Sequence, residues 1–330
     1  CNDCAVVSLT DMEEYWANET GGSRQNSSYL GFTELDLDLS LSNIFHGNYG
    51  NIHISGMNVR GDPMSDSTLH TLNYISNIEN HHNTKFYEFY YEWQNKNIYL
   101  RAGKFDFTQE FGSDPMTSMF INASMNTSMV INNDTYNTTN YGPASAVGAE
   151  IKYSKDSWYG KMGISSDNPY NGNYNEDFAN INTDPHGTKL SFKNPMIYWE
   201  FEHDVVWSNL KGQYWIGGFY DFGPQFNTYD NHFHMNNGAF YTTVNQEILK
   251  NHNHTLGIFM RFMIDPYYEK TNVNYTVDAG LTYRFGNNVL GLGYSLTRPN
   301  KNIGNHDEQR IELMYRYQID NRITVEPDIQ

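Results

Sequence analysis

The chain has 330 residues, of which 18% are charged and 15% aromatic, with 26 Tyr, 19 Phe and 6 Trp. Its formal net charge of -17, from 38 acidic against 21 basic residues, argues against nucleic acid as a partner, because phosphate binding needs clustered Lys and Arg. Mean hydropathy is -0.67, and no apolar run reaches the ~18 residues a transmembrane helix needs; strands that turn only every second residue to lipid are not excluded.

The chain opens on "CNDC", where Cys1 and Cys4 read as a local disulfide or two idle thiols. A redox pair, half a metal site or a lipidated first cysteine are the functional readings, but no second Cys pair or His cluster follows at ligand spacing. In "SLTDMEEYWANE" (8–19), Thr10 or Asp11 as a cap with Glu13 or Glu14 in the first turn predicts one short helix. Residues 1–28 are therefore expected to form an N-terminal segment ahead of a single β domain at 29–330, in which no linker-like break occurs.

Period-2 alternation then recurs along the chain. In "FTELDLDLSL", Leu35, Leu37, Leu39 and Leu41 oppose Glu34, Asp36, Asp38 and Ser40. In "FYEFYYEWQ", Tyr87, Phe89, Tyr91 and Trp93 oppose Glu88, Tyr90, Glu92 and Gln94. "MIYWEFEHD" sets Ile197, Trp199 and Phe201 against Tyr198, Glu200, Glu202 and Asp204, and "NYTVDAGLTYRF" (274–285) alternates without a fault. Ile311, Leu313, Tyr315 and Tyr317 oppose Arg310, Glu312, Met314 and Arg316, and a last strand sets Ile323, Val325 and Ile329 against Arg322, Thr324, Glu326 and Asp328. Segments of about 9 to 12 residues exceed an average soluble strand and suit a tilted bilayer crossing. Short connections such as "GNN" (286–288) and "DN" (320–321) alternate with long polar ones at 108–145 and 166–195, the asymmetry of an outer-membrane barrel. The fold expected is an all-β transmembrane antiparallel barrel, with the Met-rich "DPMTSMFINASMNTSMVIN" (114–132) as a loop folded into it.

The polar rows carry Tyr90, Tyr198, Trp215 and Phe259 among carboxylates, with Arg261, Arg284, Arg310, Arg316 and Arg322 as cations. Aromatic faces stack on sugar rings, and Arg and carboxylate groups bond hydroxyls, so these rows read as a wet binding surface; the plain alternative is charge balance in a water-filled lumen. Trp93, Tyr275, Tyr283 and Phe285 at the ends of the apolar rows fit membrane-interface girdles, against the competing reading of a sandwich core. His81, His82, His232, His234, His252 and His254 fall in polar loops without a carboxylate partner at ligand spacing, so no metal or cofactor is expected. Glu200 and Glu202 would suit glycoside hydrolysis, but such neighbours recur on strand after strand, and no enzyme is expected.

"LRAGKFDFTQEFG" (100–112), "GPASAVGAEIKY" (142–153), "YTTVNQEIL" (241–249) and "RIELMYRYQIDNRITVEPDIQ" (310–330) together resemble the OprB-like carbohydrate-selective porins of Gram-negative outer membranes. The resemblance implies sixteen strands and passive uptake of glucose-like monosaccharides or small oligosaccharides across the outer membrane. Members of that family continue past the "PDIQ" block through another strand, so a C-terminal strand is expected to be missing here. From the first block the resemblance carries over Arg101, Lys104, Asp106 and Glu110 as pore-lining; alternation places Lys104 opposite Arg101, so both reach the lumen only through a bulge or strand end. Glu88 and Glu92 share a polar row, Gln246 and Glu247 lie in a further block, and Arg261, Asp278, Arg284, Arg310, Glu312 and Arg316 follow from alternation alone. The expected partners are the sugar and outer-membrane lipid, with a homotrimer left open. A non-selective porin and a soluble glycan-binding or hydrolysing β protein are the other readings.

Overall fold

The structure is a computed structural model that describes residues 4–80, 82–134, 145–167, 186–227, 230–304 and 306–330. Sixteen strands form one antiparallel sheet in chain order. They are β1 (Ala5–Asn18), β2 (Asn26–Ser40), β3 (Asn51–Gly61), β4 (Asn83–Gln94), β5 (Ile98–Phe105), β6 (Ala146–Lys155), β7 (Trp158–Ser166) and β8 (Pro195–Trp207). There follow β9 (Leu210–Asn227), β10 (His232–Asn251), β11 (His254–Ile264), β12 (Val273–Phe285), β13 (Asn288–Pro299), β14 (Glu308–Gln318), β15 (Thr324–Val325) and β16 (Asp328–Ile329). β15 and β16 are two short pieces on the same neighbour, β14, separated by Pro327, which has no N–H to give to a ladder.

Connections of two residues join β6 to β7, β8 to β9, β10 to β11 and β12 to β13, all at one end. At Ser208 and Asn209 both φ angles are positive, 50° and 70°, the left-handed pair that lets a two-residue turn follow the strands' twist. Residues 62–82, 106–145, 167–194 and 265–272 connect strands at the opposite end. Glu14 of β1 lies within electrostatic reach of Glu326 and Asp328, so the sheet curls until its first and last strands approach. The segment after β3 straps this seam: Ser23 N–H donates to Thr68 O at 2.8 Å, Leu72 and Asn73 N–H donate to Glu308, and Gln330 Nε2 donates to Ile75 O at 2.7 Å.

The apolar rows face outward and bare, as Phe201 at 56% and Ile311 at 62% exposure illustrate. On a soluble domain a continuous band of this kind would be a liability, whereas around a barrel it is the lipid face. Three segments depart from expectation. Residues 8–18 belong to β1, not to a helix: β1 is paired with β2 from Ala5–Leu39 to Asn18–Asn26, and Trp16 packs inward against Leu30, Phe32, Met57 and Val59. Sheet pairing of a whole strand outweighs a capping signal worth ~1 kcal/mol. A helix does occur where none was expected, α1 (Leu41–Phe45) at the end of β2, with the Ser40 side chain accepting from Asn43 N–H. Finally, the β3–β4 register slips between Ile54 and Gly56, so two residues of β4 face one of β3. That bulge turns Tyr87 inward beside Glu88, whereas strict alternation groups it with the outward Phe89 and Tyr91.

Candidate functional site: the lumen and its inward loop

Residues 106–134 do not project from the barrel but fold into it, bearing α2 (Ala123–Asn126) and α3 (Met129–Asp134). Phe107 and Phe111 stack on Tyr198 of β8 at 5.3 and 5.1 Å, and Phe120 meets Phe259 edge-on at 5.5 Å. Glycines on the inner rows make room for them. A Cβ on Gly163 would come within 2.9 Å of Phe111, and one on Gly293 within 2.9 Å of both Met125 and Phe120. Tyr198, Trp215 and Phe259, three of the four aromatics of the polar rows, are thus at most 4% exposed and form the seat of this loop, not a sugar platform.

Charged groups of the wall hold the loop's backbone. Arg261, wholly buried, pairs with the equally buried Asp278 at 2.8 Å and donates to the carbonyls of Gly112, Ser124 and Met125 at 3.1, 2.6 and 3.0 Å. Glu312 accepts from Ile121 and Asn122 N–H at 2.8 and 3.1 Å, and Arg316 donates to Met119 O at 2.8 Å. Arg310 donates to Asn73 O of the strap and to Gln330 at 2.6 Å. Asp106 accepts from Thr108 N–H and Tyr87 O–H, both at 2.9 Å, capping the loop's first turn, and its own N–H donates to Glu88 at 2.7 Å. Arg261, Asp278, Arg310, Glu312 and Arg316 lie inside the barrel, as alternation places them, and with Asp106 they are spent on anchoring the loop and the strap.

What remains beside the loop is a wall built by β4 to β8. The Arg101 guanidinium lies 4.5 Å over the Tyr90 ring, pairs with Glu110 at 2.8 Å and donates to Tyr99 O–H at 2.7 Å. Tyr99 in turn donates to Glu92 at 2.7 Å. Lys152 bridges Glu110 and Glu150, and Lys161 pairs with Glu200 and donates to Glu110 O at 2.8 Å. Tyr241 O–H completes the chain by donating to Glu200 at 2.6 Å while accepting from Gly112 N–H at 3.0 Å. Arg101, Lys152 and Lys161 stand against Glu92, Glu110, Glu150 and Glu200, so most charges of this wall are paired and one carboxylate is in excess. A neutral, hydroxyl-rich solute can exchange hydrogen bonds with such a surface, while a free ion gains nothing from it over water. On the other side of Tyr90, His53 stacks at 4.7 Å and bonds Asp38 at 2.7 Å, within reach of Asp36 and Glu88.

Two expected pore-lining residues are not in the lumen. Lys104 shares the outward row of Phe89 and Val147, as strict alternation has it, and its ammonium donates to Gly187 O. Gln246 pairs with outward Ile258 and bonds Tyr214 O–H, so the inward members of "VNQE" are Asn245 and Glu247. Glu247 and Arg284 do line the inner wall, toward the two-residue turns. Tyr99, Lys152, Lys161 and Asn245 were missed, although extending the alternation through "YLRAG", "AEIKY", "YGKMG" and "TVNQE" finds each of them. Among the described residues no three His, Cys, Asp or Glu side chains come together as a metal site; His81 lies outside those residues. Cys4 is disulfide-bonded.

The family model described as "Carbohydrate-selective porin, OprB family" matches residues 24–330. Among solved structures, the chain is similar to Pseudomonas putida OprB at high pH (TM-score 0.83, 16% identity), covering 99% of this chain and 88% of that one. The low-pH form of that protein gives a TM-score of 0.62 at 13% identity, covering 99% and 87%. Salmonella typhi OmpF, solved with daunomycin, gives 0.55 at 9%, covering 99% and 90%. At these identities the structural likeness speaks for the fold alone, and no curated protein sequence matches. With a family model spanning most of its length, the chain belongs to the OprB family of carbohydrate-selective porins, outer-membrane β-barrels that pass sugars.

Proposed function

We propose that glucose-like monosaccharides cross by facilitated diffusion along the wall of Tyr90, Glu92, Tyr99, Arg101, Lys152 and Lys161 that the inward loop leaves open. The observation that carries this reading is Arg101, stacked on Tyr90 and fixed between Glu110 and Tyr99. It offers a guanidinium edge to hydroxyls next to an aromatic face, with its own charge paired to Glu110 so that a neutral solute is neither repelled nor trapped. No covalent step is involved, and weak contacts suffice because a sugar must leave as readily as it enters. The excess of acidic groups over the whole chain disfavours anions of similar size. Every group of the pathway comes from one chain, so a trimer would hold three separate pores.

Liposomes containing the purified protein test this. They should swell faster in glucose than in gluconate, and equal rates would make the lumen a sieve without sugar preference.

A further inference from the structure

On the short-turn side of the inward loop, the wall formed by β8 to β12 lines a half-open cavity of about 390 Å³, within the ~300–1,000 Å³ range typical of small-molecule sites. Asp204, Gln213, Asn245 and Arg284 reach it from four of these strands, and Met116 of the loop forms part of its roof. Asn245 is 2% exposed. Its Nδ2 donates to Asp114 at 2.7 Å, which fixes the amide, and its Oδ1 has no hydrogen-bond partner. Buried acceptors are nearly always satisfied, so one left unpaired on a residue that lines a cavity is a place for a donor from whatever enters. Asp204 and Glu247 are matched by Lys211 and Arg284 on the same wall, so the cavity attracts a neutral polyhydroxylated molecule over an ion.

We propose that this cavity is a second saccharide subsite, distinct from the Arg101 wall, in which a sugar hydroxyl donates to Asn245 Oδ1 while Gln213 and Arg284 bond further hydroxyls. This rests on the sugar-conducting reading above. A sugar that has cleared the Arg101 wall pauses here before leaving, and one entering from the short-turn side meets this subsite first.

The test is single-channel recording with glucose added to one side at a time. In the unmodified protein, glucose on the short-turn side should interrupt the current with a longer residence time than glucose on the long-loop side. Asn245→Leu should shorten that residence about tenfold, the effect of losing ~1.4 kcal/mol of binding, and leave interruptions from the long-loop side unchanged. Gln213→Leu, which does not touch the Asn245–Asp114 bond, should shorten it in the same direction and guards against a folding defect. Side-dependent interruptions that survive both substitutions overturn the subsite alone. An unmodified protein with no glucose-dependent interruptions from either side overturns the sugar-conducting reading and this proposal with it.

Discussion

Replacing Arg261 by Met should unseat the inward loop while leaving the barrel folded. The guanidinium is fully buried, as is its partner Asp278, and it also donates to three loop carbonyls. Methionine fills a similar volume but leaves Asp278 with only the Ser295 hydroxyl, at 2.7 Å, to stabilise its charge. Breaking a buried ion pair from one side costs about 3–5 kcal/mol, and at ~1.4 kcal/mol per factor of ten the docked-to-released ratio of the loop falls by about two to four powers of ten. The sheet's own ladder does not depend on this pair, so the variant should still run as a folded barrel in unheated detergent gels. Planar-bilayer recording should show larger and noisier conductance and weaker discrimination between glucose and gluconate. Adding Asp278→Leu removes the stranded carboxylate and should recover part of the loss, since an apolar pair often replaces a buried ion pair at little cost. A folded Arg261→Met protein with wild-type conductance and selectivity would refute the idea that this pair holds the loop.

Three further expectations follow from the same geometry. Arg101→Ala leaves Glu110 and Glu150 with Lys152 alone, so the wall becomes more acidic; reversal potentials should shift toward cation selectivity and the glucose preference should weaken. Gly163→Val would press on Phe111, 2.9 Å from an added Cβ, and overpacking of ~1–3 kcal/mol should raise conductance, whereas Gly160→Val on the same strand, whose nearest neighbour is 3.5 Å away on Phe201, should not. At the end of the loop, Asp134 accepts from Asn272 and Val273 N–H at 2.6 and 3.1 Å, and Asp265 faces it with Lys270 and Asn237 nearby. Burial raises both carboxyls above their ordinary range, with the Asp265 charge adding to the rise at Asp134, and Asp265 is pushed up to about 7. A raised carboxyl favours the docked clamp at low pH and loses that contribution as pH climbs through the docked-state value. Open-channel noise should therefore grow between about pH 4 and about pH 7, and Asp265→Asn should flatten the dependence.

Period-2 alternation placed the outward rows of β8, β12 and β14 correctly, because one face of each strand meets lipid and a one-residue slip would put charges there. It failed at Tyr87, where a bulge adds a residue that no local sequence signal marks, and at residues 8–18, where capping residues suit a helix that sheet pairing forbids. The same rule found Arg261, Asp278, Glu312 and Arg316 inside the barrel but could not say whether water or the chain itself would meet them. That depends on where residues 106–134 go, and their Met-rich run has no period to follow. The inner-row glycines were the unread clue: Gly163, Gly291 and Gly293 have no place on a water-filled wall unless something packs against them. Gln246 and Asn245 stand in the same "YTTVNQEIL" block, and alternation from Tyr241 puts Asn245 and Glu247, not Gln246, on the inner face.

The central claim is that sugar passes through a lumen narrowed by this loop and makes contact on the way. Single-channel conductance of the full-length protein, with and without glucose, tests it most directly. Added glucose should interrupt or reduce the ionic current in proportion to its concentration, whereas mannitol, of similar size but without a ring to lie on Tyr90, should act more weakly. Equal effects of glucose and mannitol would contradict the account.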